Sequence, residues 1–101
     1  MASTRLEILK GMVAQKPEDG FARYGLAMEY RNSGDLEAAV REFRQLIGVN
    51  PDYAYAYFHC GQTLERLGKP EEAAEMYRAG LARVTDAHAR SEIEGALELL
   101  G

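Results

Sequence analysis

Apolar residues recur at helical spacing in six blocks along this chain, and Gly, Pro or Asn separates all but the last two blocks. The first carries Leu6, Leu9, Met12 and Val13, one stripe at the three-and-four spacing of an amphipathic helix. Thr4 and Glu7 stand as a capping box at its start, and Pro17 stops it. The second block predicts a helix from about Asp19 to Asn32, with a core stripe of Arg23, Leu26, Ala27 and Tyr30. Ser33-Gly34-Asp35 then makes a turn, in which Gly34 tolerates positive φ and Asp35 caps the next helix. That helix runs from Leu36 to about Gly48 and puts Ala39, Val40, Phe43, Leu46 and Ile47 on one face. Asn50-Pro51-Asp52 closes it and caps the fourth.

Tyr53 to Phe58 alternates like a strand. Alanine favours helix, and no partner strand is visible elsewhere, so the segment is read as the start of a fourth helix. Gly68 breaks that helix. Pro70 restarts the chain at a first helical position, where the missing N–H costs nothing. The fifth helix, Pro70 to Val84, turns Ala73, Ala74, Tyr77 and Leu81 inward. The sixth, from about Asp86 to Leu100, has Ala89, Ile93, Ala96, Leu97 and Leu100 at helical spacing. Its Arg90, Glu92, Glu94 and Glu98 suit the solvated face of a terminal cap.

The blocks repeat. Gly34 lies 34 residues before Gly68, Pro17 lies 34 before Pro51, Ala39 mirrors Ala73 and Phe43 mirrors Tyr77. A fixed period of this length marks a helical repeat array. One copy reads Arg23, Leu26-Ala27, Tyr30, Ala39, Phe43, Pro51; the next reads Tyr57, Cys60-Gly61, Leu64, Ala73, Tyr77, Thr85. This pattern resembles the tetratricopeptide repeat family. Arg23 replaces the opening aromatic, Cys60 the Leu, and Thr85 the Pro. The resemblance implies an all-α, right-handed superhelical stack of antiparallel helix pairs, an α-solenoid of about six helices. It divides the chain into a capping helix over 1–16, repeats over 20–53 and 54–87, and a second capping helix over 88–101. Small residues at Ala27, Gly61, Ala39 and Ala73 let paired helices approach closely.

Composition narrows the function. At 101 residues there is room for one domain of usual size. A net charge of -4 argues against a phosphate-backbone binder. That charge also leaves RNA reading by a helical repeat without its basic face. The single cysteine, Cys60, fits a reducing compartment. No apolar run suits a signal peptide or a membrane span. A soluble, cytoplasmic protein is expected.

Each repeat's first helix carries a second stripe: Phe21, Tyr24, Met28, Arg31 and Asn32, then Tyr55, Phe58, His59, Gln62, Glu65 and Arg66. By resemblance these helices line a concave groove that holds a peptide or helix of a partner. The same rings can instead pack between repeats as core. A carboxylate clamp is not expected, because aromatics and Met28 begin the stripe, although Arg31 or Arg66 can pair with an acidic ligand. The alternative is self-association through the same apolar surface or through the last helix, where Leu99 stands off the main stripe. His59 and Cys60 are neighbours whose side chains diverge by about 100° on a helix, and no further ligand stands at metal-site spacing. No catalytic constellation, metal or cofactor is expected. Glu71, Glu72 and Glu75 read as a solvated helix start that complements the dipole.

Overall fold

Capping side chains fix where four of the six helices begin. The computed structural model describes residues 4–101 and contains α1 (Arg5–Gln15), α2 (Gly20–Ser33), α3 (Leu36–Val49), α4 (Ala54–Arg66), α5 (Pro70–Arg83) and α6 (Ala87–Leu99). There is no strand among the described residues. Thr4 and Glu7 form the capping box of α1, with the Glu7 amide donating to Thr4 Oγ1 at 3.1 Å. Asp19, Asp35 and Asp86 cap α2, α3 and α6, each accepting from an amide three residues on. These bonds satisfy donors that a helix start otherwise leaves unmade.

The α2–α3 and α4–α5 turns share one geometry. Gly34 and Gly68 sit at φ 92° and 76°. The following amides reach back across the helix end, from Asp35 to the Tyr30 carbonyl and from Lys69 to the Leu64 carbonyl, both at 2.9 Å. This is the left-handed helix stop that glycine enters without strain. Tyr53 to Phe58, whose alternation suggested a strand, opens α4, apart from Tyr53 itself, which is its N-cap.

Three expectations are corrected. Asp52 does not cap α4: Tyr53 holds that position without a side-chain bond, and Asp52 instead accepts from Arg83 of α5 at 3.1 Å. Arg23 is not an apolar core member. It stands where the repeat pattern has an aromatic, but it pairs with Glu42 across α2 and α3 at 2.9 Å and donates to the Pro17 carbonyl. Arg90 does not face solvent from the cap. It turns back to donate to the Leu81 and Val84 carbonyls at 2.6 and 2.8 Å. That arrangement meets the open carbonyls at the end of α5.

Each helix packs antiparallel on the next, and α4 also meets α6. The result is an elongated stack measuring 46 × 26 × 19 Å. A main core runs through Phe43, Leu46, Tyr57, Leu64, Tyr77 and Ile93, and a second cluster of Leu9, Val13, Ala22 and Leu26 joins α1 to α2. Phe43 and Tyr77, 34 residues apart, are both fully buried. Glycines set two of the closest approaches. A Cβ at Gly61 would run into the Tyr77 ring, and one at Gly80 would lie 2.7 Å from Tyr57 Cβ. Gly61 was legible as a packing residue, and Gly80 extends the same device to α5.

Candidate functional site

The face made by α2, α4 and α6 is organised around His59. Its ring lies 5.9 Å from Tyr24, 6.4 Å from Phe43, 6.1 Å from Tyr55 and 5.3 Å from Phe58. Tyr24 also stacks on Tyr53 at 5.2 Å. The contacts of Tyr24 and Phe43 with His59 join one repeat to the next through rings, whose edge-to-face and offset geometries are favourable beyond their burial. Arg31 of α2 crosses to α4 and donates from Nη1 to His59 Nδ1 at 2.9 Å. His59 accepts here, so Nδ1 carries no proton and the ring is held neutral. Burial, and then the Arg31 charge, push its pKa below the usual histidine value.

Towards α6 the surface opens. Tyr55 donates from its hydroxyl to Glu92 Oε1 at 3.0 Å and ties α4 to α6. Beside it a groove with a cavity of about 520 Å³ is lined by Phe58, Gln62, Gly95, Ala96 and Leu99, with Ser91, Glu92 and Glu98 on its rim. Leu99 is 90% exposed. A neighbouring cavity of about 340 Å³ is lined by Arg31, Gln62, Glu65 and Arg66.

The expected residues thus divide. Phe58, Gln62, Glu65, Arg66 and Arg31 border open cavities. Tyr24, Tyr55 and His59 are half-buried in the ring cluster and shape its floor. Met28 packs partly buried against the core. Phe21 stands apart, 78% exposed and in no aromatic pair among the described residues. Asn32 is exposed. Sequence reasoning had the last helix and Leu99 only as an alternative surface for self-association, and missed α6 as a wall of this groove. The 34-residue register does carry that signal, because it puts Glu92 at the place of Phe58 and Leu99 at the place of Glu65.

Cys60 points away from this face into the core, and burial pushes its thiol pKa up to about 12. Such a thiol behaves as a small hydrophobe. No group of three or more His, Cys, Asp or Glu is placed to hold a metal ion among the described residues. No helix among them is long and apolar enough to cross a membrane.

A stack of this kind defines a helical-repeat scaffold, and comparison with known proteins gives its family. The tetratricopeptide repeat model matches residues 24–92. The chain belongs to the tetratricopeptide repeat family. It is 41% identical over 59 residues to an uncharacterized protein of Methanocaldococcus jannaschii, covering 58% of this chain and 69% of that one. It is 26% identical over 77 residues to a TPR repeat-containing protein of Pseudomonas aeruginosa, covering 76% of this chain and 73% of that one. The crystal structure of a tetratricopeptide repeat domain protein from Salinibacter ruber superposes with a TM-score of 0.74 at 29% identity, covering 81% of this chain and 94% of that one. Domains of this family bind protein partners and are generally non-catalytic scaffolds.

Proposed function

We propose that this chain is a non-catalytic interaction module that holds a peptide or helical segment of a partner protein across α2, α4 and α6. Two repeats, over 20–53 and 54–87, supply the first two of these helices, and the helix after them completes the wall. The observation that carries the reading is the apolar groove between Phe58 and Leu99. An exposed apolar surface beside convergent polar groups is what a partner's side chains displace water from. His59 and Tyr24 stiffen the floor, and Gln62, Glu65 and Arg66 orient the bound segment more than they add affinity.

The test is selection of peptides from a displayed library against the wild-type chain, followed by affinity measurement on Phe58→Ala and Leu99→Ser. Selected peptides are expected to lose about tenfold or more on each variant, with Leu99→Ser melting close to wild type. Undiminished binding on both variants overturns the groove. The exposure of Leu99 favours a second reading, self-association of two copies through this same surface. Sedimentation across a concentration series separates the two, because only self-association makes the mass rise with concentration.

A further inference from the structure

The 34-residue register makes α1 the second helix of one repeat and α6 the first helix of another. Each is half of a pair. On α1, Ile8 and Met12 are 53% and 43% exposed. One and two periods on, their places hold Glu42 and Leu46 of α3, then Met76 and Gly80 of α5. Those four residues are buried or half-buried. The first helix of the same repeat lies on them: Glu42 pairs with Arg23 of α2, and Gly80 lies against Tyr57 of α4. α1 packs on α2 through its other side, Leu6, Leu9 and Val13, which leaves Ile8 and Met12 open. The far end of the stack mirrors this. Gly95 of α6 stands where Gly61 receives the Tyr77 ring, and nothing lies within 4 Å of a Cβ built there. Leu99, exposed as described above, stands where Glu65 meets the Tyr77 hydroxyl.

We infer that these two open faces meet between copies of this chain: α1 of one copy packs antiparallel on α6 of the next, completes a repeat and stacks the chains head to tail. The internal pairs give the register. Tyr57 lies against Gly80 and, one turn on, Gly61 lies against Tyr77. Carried along by the period, Ser91 comes to Met12 of the next copy, and Gly95 with Leu99 comes to its Leu9. One further turn brings Glu98 to its Arg5. Charge agrees with this pairing. α1 carries Arg5 and Lys10 against Glu7, whereas α6 carries Glu92, Glu94 and Glu98 while Arg90 turns inward. Arg5 is largely exposed and pairs with Glu29 at the surface, and a guanidinium has donors for a second acid. Glu94 and Glu98 stand where α4 has Cys60 and Leu64. They keep α6 solvated when unpaired, make this contact wetter than the internal ones and favour a basic helix over an acidic one. A single pair of helices of 11 and 13 residues falls short of the about 1,200 Å² that stable interfaces bury, so the association is reversible and shows at high concentration. A heterologous contact that does not close on itself propagates. The inference goes beyond the partner groove and does not depend on it.

Sedimentation equilibrium on the wild-type chain, taken up to about 1 mM, is expected to show an average mass that rises past two chains without a plateau. Met12→Glu closes the α1 end, and Gly95→Arg closes the α6 end. Both positions are exposed, and thermal melting checks that each variant folds like wild type; Ile8→Glu and Leu99→Arg stand in for one that does not. Each variant alone is expected to stay at the mass of one chain. Their equimolar mixture is expected to reach two chains and stop, because each contributes one intact end. A wild-type chain that stays monomeric at that concentration, a plateau at two chains, growth of either variant alone like wild type, or a mixture that stays monomeric overturns the inference. A plateau at two chains that Met12→Glu leaves unchanged identifies two-fold pairing through the groove in its place. Peptide binding in the groove is measured separately and stands or falls on its own.

Discussion

Gly61 and Gly95 occupy the same place in successive 34-residue units, and they are expected to answer the same substitution with opposite signs. At Gly61 an added Cβ overlaps three carbons of the Tyr77 ring. That ring is fully buried, and its hydroxyl is held by Glu65 on α4 itself, so it has little freedom to retreat. Overpacking of this kind costs about 3 kcal/mol, near the top of the usual range. Replacing a helical glycine by alanine returns about 1 kcal/mol. Gly61→Ala should therefore destabilise the fold by about 2 kcal/mol net, which lowers the melting temperature by on the order of 10 °C in a domain of this size. At Gly95 nothing lies within 4 Å of the added Cβ. Only the helix-propensity gain remains, so Gly95→Ala should stabilise by up to about 1 kcal/mol. Urea denaturation followed by circular dichroism measures both. A stabilising Gly61→Ala, or two substitutions of equal effect, refutes the claim that α4 and α5 meet through that glycine.

Two further outcomes follow from the core and the ring cluster. Phe43→Ala removes a fully buried ring that packs against Tyr24 and His59; it should cost about 3–5 kcal/mol, and a loss under about 1 kcal/mol in the same urea assay would put the ring at the surface. His59 is held below its ordinary pKa by burial and by Arg31, so the unfolded chain binds its proton more readily. Stability should fall as the pH drops below about 6.5 towards the folded pKa, the region where the unfolded histidine titrates first. His59→Gln should flatten that fall in urea midpoints taken across the range, and an unchanged slope would mean that His59 titrates alike in both states.

Much of the fold could be read from the chain because its punctuation is local. Gly34, Gly68 and Pro70 act through their own backbone preferences, and the spacing of Ala39, Phe43, Ala73 and Tyr77 states the repeat directly. What escaped depends on partners distant in sequence. Arg23 falls in the core stripe by spacing, but its partner is Glu42, nineteen residues on. Asp52 looked like a cap, but its bond runs to Arg83, 31 residues away. Arg90 has the pattern of a solvated cap residue, and only the end of α5 gives it carbonyls to meet. For the candidate site, the stripe on α2 and α4 was legible, but its division into floor and opening was not. Tyr24 and Phe58 hold the same repeat position, yet Tyr24 has Tyr53 and Phe43 around it while Phe58 borders the groove. Neighbours across the stack decide that difference, and helical periodicity does not encode them.

The proposed binding face is tested most directly by amide chemical-shift mapping of the isotopically labelled chain, titrated with the tightest peptide from the displayed library. Shifts are expected to concentrate at Arg31 on α2, from Phe58 to Arg66 on α4, and at Ser91, Gly95 and Leu99 on α6, with α3 and the outer side of α5 unmoved. Shifts concentrated on α3 and α5, with Phe58, Gln62 and Leu99 silent, would contradict the proposal and place recognition on the convex face.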